Sequence, residues 1–476
     1  MSQRPTILLS VPNGGSAGTI VRTGLLGRLL DAHPDTSIVL ASSLVRDEAF
    51  VREIAHPRIQ CEYLEPHEPS RLEERLNGLV QAAYLSSGAT ESVRIRLAEA
   101  QSKGLIRWTR LKRGVVRVAL SSMDRKESRY RVTDGLVSHD GAELLFAKYQ
   151  PALYVASSPG LIAPEIPLLR TAVRRRVRSM AIDPSWDNFT NKLMPVRHVD
   201  RLVVWNDLMK QQAINLHGYA PDQVRVAGVP QWDIYFRNGA GTCRDTFCRS
   251  IGADPSRKLV TLTTTPRTIY KHHDHVVRVL IAAMQSGAWP YPVHVLVRVH
   301  PRDEELSYAA FLGIPNVTVE KPFRPAAVPS GDGLTVDMTE ENRRHLASTM
   351  QHSDVIINVA STITIEASIF DTPVVNIAFD GEAPVRWTES AERYYRFTHY
   401  QDIGKHGAVR VVGSPAALID AVGAYLTDPS LDREGRARVV EEQCQFTDGR
   451  SAERVAGFVM EELSDVCGSR DSSGST

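Results

Sequence analysis

Residues 352–376 read H-S-D-V-I-I-N-V-A-S-T-I-T-I-E-A-S-I-F-D-T-P-V-V-N, an order of groups that suits an anionic ligand. An apolar run ends at Asn358, and a helix is expected from Ser361 or Thr362 to Phe370. Ser361 is a good N-cap residue, and the free amides of a first helical turn, at the positive helix end, suit a diphosphate. Glu366, one turn further in, would accept hydrogen bonds from a ribose diol. The plainer alternative is ordinary capping with Glu366 in solvent. Asp371-Thr-Pro373 then turns the chain into the next strand.

A second group is Arg298-Val-His-Pro-Arg-Asp303, where an apolar strand emerges. A residue before proline is disfavoured in a helix, so His300 is expected at the strand end. There it can donate to a phosphate, with Arg298 or Arg302 adding charge; a structural histidine in a turn is the alternative. Thr264 and Thr265 follow this half's first strand and are candidate phosphate contacts. In the other half, Pro184-Ser-Trp-Asp-Asn-Phe-Thr-Asn-Lys192 is dense in polar groups. Trp186 could stack on a sugar or base, and Asp187, Asn188 and Lys192 could hydrogen-bond an acceptor. Asp187 would serve as general base if its environment raised its pKa toward working pH; capping the next helix is the other reading. His139-Asp140 and His198 are further candidate bases, although a lone histidine is more often structural.

These residues need a frame, and the apolar runs supply one. Strands are expected at Thr6 to Val11, Ser37 to Ala41, Pro151 to Ala156, Ser179 to Ile182, Arg201 to Trp205 and Gln223 to Ala227. A second series runs Lys258 to Thr263, His294 to Val299, Val317 to Glu320, Val355 to Asn358 and Val374 to Ala378. Helices are expected at Thr19 to Leu30, His275 to Gln285, Pro415 to Leu426 and Ser451 to Leu463. The Gly-rich turn Pro12 to Gly18, containing Ser16, falls at the carboxyl end of the first strand, where α/β proteins bind ligands. It lacks the G-x-G-x-x-G spacing, and a tight turn is the simpler reading. The pattern predicts an α/β protein with an N-terminal domain over 1–238, a C-terminal domain over 239–465 and a disordered tail over 466–476. Facing carboxyl rims would leave a cleft between the two.

Composition narrows the classes. The 476 residues carry 56 Lys and Arg against 55 Asp and Glu, so a generally basic nucleic-acid binder is not expected. Five dispersed cysteines, without a C-x-x-C pair, suit a reducing compartment. The short apolar run at the start predicts no signal peptide, and a cytoplasmic protein is expected. Positive charge is concentrated within residues 103–131, which hold ten Lys and Arg and two acids in a helical region starting near residue 70. This is either a solvated face or a surface for an anionic membrane or polymer. No P-loop, H-E-x-x-H or G-x-S-x-G motif occurs, and the Asp-x-Asp of metal-dependent sugar transferases is missing. Neither a metal nor a separate cofactor is therefore expected.

Ser185-Trp-Asp-Asn-Phe-Thr-Asn-Lys192, followed by Arg201 to Asn206, Leu216-His-Gly218 and Val226 to Gln231, resembles a block of bacterial surface-carbohydrate biosynthesis proteins. These are related to CDP-glycerol glycerophosphotransferases and to GT-B glycosyltransferases, and Arg298 to Pro301 and Ser361 to Asp371 are similar to their donor-binding half. The resemblance implies two Rossmann-like domains, the acceptor bound by the first, a nucleotide-activated donor by the second, and metal-independent transfer between them. It assigns Ser361, Thr362, Glu366 and His300 to the donor and Asp187 to the acceptor side. Ala360-Ser-Thr-Ile-Thr364 is closer to sugar transferases, favouring a sugar donor and a cell-surface glycan or glycolipid acceptor. Transfer of a glycerophosphate from a CDP-activated donor, nucleotide-sugar 2-epimerisation, and a non-catalytic scaffold of polysaccharide assembly are the alternatives.

Overall fold

The computed structural model describes residues 4–104, 137, 139–192, 197–237, 241–322, 324–325 and 336–473. The chain forms two compact units. Unit 1 comprises Met1–Asp233, Pro325–Asp337 and Asp448–Thr476; unit 2 comprises Ile234–Arg324 and Met338–Thr447.

Unit 1 is built on β1 (Thr6–Val11), β2 (Ser37–Ser42), β3 (Ile59–Tyr63), β4 (Leu153–Ala156), β5 (Arg178–Ile182), β6 (Arg201–Val204) and β7 (Val224–Val226). They form one parallel sheet in the order β3-β2-β1-β4-β5-β6-β7, a doubly wound arrangement. Val11 pairs with Ser42, and Leu9 with Val155, so the turn after β1 and the loop after β4 leave the same edge. β1 from Ile7 on and all of β4 are buried, and both are largely apolar, because both their faces are covered. Leu25, Leu26 and Leu29 share a core with Ile7, Leu9, Leu40 and the apolar stripe Ala452, Val455, Val459 and Leu463. Each such fully buried aliphatic side chain contributes about 1.5–3 kcal/mol.

Unit 2 repeats the winding. β8 (Lys258–Thr263), β9 (Val293–Arg298), β10 (Val317–Glu320), β13 (Val355–Asn358), β14 (Val374–Ile377) and β15 (Val409–Val412) form a six-stranded sheet ordered β10-β9-β8-β13-β14-β15. Its strands are parallel as well. β11 (Arg324–Pro325) and β12 (Val336–Asp337) pair as a separate two-residue ribbon. Helix His273–Gln285 packs Val276, Val277 and Leu280, and helix Pro415–Thr427 packs Leu418, Val422 and Leu426, into the core around Val260, Leu262, Val297 and Ile357.

The α/β expectation holds, with local differences. β3 and β15 escape an apolar-run reading because each is an edge strand with partly exposed residues. The helix expected over Thr19 to Leu30 is two helices, Gly14–Ile20 and Leu25–Ala32, interrupted at Gly24 with φ +79°. The unit boundary falls after Asp233 rather than at 238. The last helix, Ser451–Ser473, belongs to unit 1 and carries helical structure through most of the stretch expected to be disordered. Its apolar stripe needs the unit 1 sheet face, Glu462 pairs with Arg178 and Arg201 at 2.7 and 2.6 Å, and Asp233 accepts from the Ser451 and Ala452 amides at 2.8 Å. Helices Arg71–Ser87 and Glu91–Ser102 start at side-chain caps from Ser70 and Thr90. Beyond Gly104 the basic stretch 103–131 lies outside the described residues, as do residues 238–240 at the expected domain crossing. No described helix is long and apolar enough to cross a membrane.

Candidate active site

Three chain segments meet at the carboxyl edge of the unit 2 sheet: the loop after β8, the loop after β9 and the turn after β13. The first two are tied together, because the His300 amide donates to Thr264 Oγ1 at 2.8 Å. The Arg302 amide donates to His300 Nδ1 at 3.1 Å, so the neutral ring carries its proton on Nε2. Burial, with Arg302 and Lys321 nearby, pulls the His300 pKa down to about 4. At neutral pH this histidine is therefore an uncharged N–H donor, suited to a phosphate oxygen. Arg302 is exposed beside it. Lys321, one residue past β10, donates to the Asp303 carbonyl at 2.6 Å and adds a second cation that sequence reading missed.

The turn after β13 is held from beneath. Ala360 adopts φ +41°, a left-handed conformation that costs a non-glycine residue energy. The Ser361 amide donates to Asn358 Oδ1 at 3.3 Å, and Ser361 Oγ accepts from the Ile363 amide at 3.3 Å. The helix itself runs Ile363–Ile369 with Thr362 in the cap position and no side-chain cap bond from it. Ser361 and Thr362 thus stay partly exposed at the start of the helix, as expected.

Four other donor-side candidates are turned inward. Glu366 is only 7% exposed; its Oε2 accepts from Tyr235 Oη at 2.5 Å, and burial pushes its pKa up to about 7. It is neither in solvent nor presented to a ribose, because its helix position faces the interior. Arg298 is 4% exposed and pairs with Glu320 at 2.9 Å, with His345 Nδ1 also 2.9 Å away. As the last strand residue it points into the unit, not at a phosphate. Thr265 is buried against His273, whose Nε2 lies 3.0 Å from its amide nitrogen, and Thr264 is spent on the His300 amide. These four support the rim from behind.

The unit 1 edge is organised by buried carboxyls. Glu165, fully buried, accepts from Ser10 Oγ at 2.5 Å, from the Ser157 amide and hydroxyl at 2.6 and 2.9 Å, and from Ser158 Oγ at 2.7 Å. Ser16 Oγ lies 2.8 Å from Ser157 Oγ, so the Gly-rich turn and the loop after β4 are joined. Ser16 is therefore buried in this network rather than presented as an acceptor contact. Asp183, directly after β5, is buried too; Oδ1 accepts from the Ser185 amide at 3.0 Å and Asn188 Nδ2 at 2.6 Å, while Oδ2 has no hydrogen-bond partner among the described residues. Burial drives its pKa up to about 7. Asp187 stands at the start of helix Asn188–Asn191 without capping it. It accepts from Ser185 Oγ at 2.5 Å and Asn191 Nδ2 at 3.2 Å, and lies 3.3 Å from Lys192 Nζ. Lys192 is partly exposed.

Two acceptor-side expectations change. Trp186 is 6% exposed, its large apolar surface enclosed rather than offered for stacking, and Asn188 serves Asp183. Of the further candidate bases, His198 stacks on Tyr219 with ring centroids 4.2 Å apart, and His139 lies in a buried network described below. Glu165 and Asp183 escaped the sequence reading, although an acid directly following an apolar strand, as Asp183 follows β5, is a signal at hand. Among the described residues no group of three or more His, Cys, Asp or Glu could hold a metal ion.

Two parallel doubly wound units are the architecture of the GT-B fold. The family model of CDP-Glycerol:Poly(glycerophosphate) glycerophosphotransferase matches residues 166–461, well over half the chain, and the chain belongs to that family. The lipid-A-disaccharide synthase of Geobacter sulfurreducens is 26% identical over 227 residues, 46% of this chain and 53% of that protein, so the match spans about half of the relative's length. Among solved structures, the UDP-GlcNAc 2-epimerase of Neisseria meningitidis bound to UDP-GlcNAc is similar at TM-score 0.56, 10% identity and coverage of 96% of this chain and 100% of that one. The wall teichoic acid polymerase TagF, soaked with CDPG, is similar at TM-score 0.50 and 9% identity over 98% and 90% of the two chains. These structural likenesses show the fold.

Proposed function

We propose that the chain transfers a sugar from a nucleotide-activated donor to a cell-surface glycan or glycolipid acceptor, with the donor diphosphate on the carboxyl edge of unit 2. The observation that carries this reading is His300, an uncharged N–H donor fixed between Thr264 and the Arg302 amide, with Arg302 and Lys321 beside it. As the anomeric carbon–oxygen bond breaks, negative charge grows on the leaving diphosphate, and preorganised donors there stabilise it. Asp187 is the candidate base for the acceptor hydroxyl. No metal is required by this scheme. The basic stretch 103–131 offers contact with an anionic membrane surface.

The family match favours a second reading, transfer of glycerophosphate from a CDP-activated donor. The leaving groups separate the two. Glycosyl transfer releases a nucleoside diphosphate, whereas attack on the phosphorus of a CDP-polyol releases CMP. Incubating the full chain with UDP-GlcNAc or CDP-glycerol and a membrane-glycan extract, and resolving the nucleotides by anion exchange, decides between them. Acceptor-dependent UDP supports the sugar reading, CMP the polyol-phosphate reading, and neither product removes the transferase proposal for these donors.

A further inference from the structure

Unit 1 holds a cavity of about 590 Å³ apart from the Asp183–Lys192 segment. It is lined by residues 62–68, which end β3 and leave it, by the first turns of helix Asp140–Tyr149, and by Pro164, Pro167 and Leu168 after β4. Ligands of open parallel sheets bind outside such carboxyl ends. Pro164 is the neighbour in sequence of Glu165, which fixes the serines of the β4 loop, so the cavity adjoins the organised edge.

Two histidines on its wall are positioned by a buried ion pair. Glu73 Oε1 accepts from Arg170 Nη1 at 2.6 Å, with both side chains 1% exposed, and lies 3.1 Å from His67 Nε2. Arg170 Nη1 lies 3.5 Å from His139 Nε2, and the two imidazoles meet edge to face at 5.1 Å. Burial draws the His139 pKa down to about 4, so that ring is neutral near pH 7. This is a built polar wall, held by charges that do not themselves face the occupant.

The remaining lining decides what fits. Among the described residues, Glu62, Glu65, Glu68 and Asp140 place four carboxylates on the cavity against one cation, Lys148, which is 2.6 Å from Glu62 and paired with it. A phosphate-bearing ligand would face net repulsion there. Hydroxyl groups, by contrast, can donate to carboxylates and imidazoles, while Leu64, Pro164 and Leu168 give an apolar surface for the C–H face of a ring. The volume is in the range of small-molecule sites.

We propose that this cavity binds an uncharged, polyhydroxylated ligand, the end of a neutral glycan. Identifying that ligand with the acceptor rests on the transferase reading above; the binding itself does not.

Saturation-transfer NMR and calorimetry on the full chain would use lactose, cellobiose and N,N′-diacetylchitobiose as uncharged probes, with glycerol 3-phosphate as the charged one. Gly141 lines the cavity, and a Cβ added there meets no atom within 4 Å, so a side chain can start at this position and Gly141→Trp narrows the space. His139→Leu removes a wall hydrogen-bonding group and is the second variant. The expected result is binding of at least one disaccharide to the wild type, weakened tenfold or more by either variant, with no binding of glycerol 3-phosphate. Binding of the phosphate in preference, disaccharide affinity unchanged in both variants, or no disaccharide bound overturns the proposal. Thermal shift with nucleoside diphosphates is recorded on the same samples. No disaccharide binding to the wild type, with its nucleotide shift present, sinks the cavity alone; disaccharide binding without any nucleotide shift sinks the transferase reading and leaves the cavity standing.

Discussion

The carboxyl edges of the two sheets have the same winding but opposite chemistry. On unit 1 the organising groups are acids taken out of water: Glu165 gathers Ser10, Ser157 and Ser158, and Asp183 holds Asn188 and the Ser185 amide. On unit 2 the groups at the edge are donors and cations, His300, Arg302 and Lys321, and the acids Glu366 and Glu320 are withdrawn behind them, bonded to Tyr235 and Arg298. Under the proposed transfer, the difference teaches how one fold would handle two substrates. An edge that keeps donors outward stabilises an anion, whereas one that keeps buried acceptors inward leaves its surface to neutral hydroxyl-bearing groups.

The largest expected effect is on the unit 1 edge. Glu165→Ala removes the buried acceptor shared by three serine hydroxyls and the Ser157 amide, at a cost of about 3 kcal/mol. Urea unfolding followed by tryptophan fluorescence should show the loss, and an unchanged midpoint would mean that Glu165 does not organise this edge. On unit 2, His300→Ala should lower kcat for donor turnover about 100-fold, or about 2.7 kcal/mol, with the stability nearly kept. A change confined to KM would assign His300 to ground-state binding alone.

Asp183 gives a pH-dependent contrast. Its folded pKa, about 7, lies above the ordinary aspartate value of 3.8, so between those values the folded chain holds the proton and the unfolded chain releases it. Its contribution to stability is fully present below the lower value and is lost as pH rises to about 7. Asp183→Asn removes that slope, so the stability of the variant relative to wild type should be about 2–3 kcal/mol higher at pH 8 than at pH 5. Urea midpoints at the two pH values check this, and a slope equal to wild type would show that Asp183 is already ionised. The smallest effect is at the β13 turn, where Ala360→Gly relieves the φ +41° conformation and should add about 0.5 kcal/mol of stability. Thermal melts of unit 2 would detect it, and destabilisation would show that the turn is not strained.

The same contrast explains what could be read from the sequence. Buried parallel strands such as β8, Lys-Leu-Val-Thr-Leu-Thr, announce themselves because both faces are covered. Edge strands such as β3 do not, since their exposed positions break the apolar run. At the site, His300, Ser361 and Thr362 were legible because proline and cap chemistry fix where they stand. Arg298, Glu366, Trp186 and Asn188 were read outward and are packed inward, since strand and helix residues alternate faces and one residue's step decides between ligand and core. The buried Glu165 and the Glu73–Arg170 pair depend on contacts 155 and 97 residues apart, respectively, which local pattern cannot report.

In the proposed reaction the unit 2 edge takes a nucleotide diphosphate on His300. Thermal shift of wild type and His300→Ala against UDP, CDP, GDP, dTDP and CMP tests it most directly, since a ligand at about 100 times its dissociation constant adds roughly 2.7 kcal/mol. A shift of a degree or more for one base in wild type, reduced in the variant, is the predicted result. No shift with any nucleotide, or the same shift in both proteins, would contradict it.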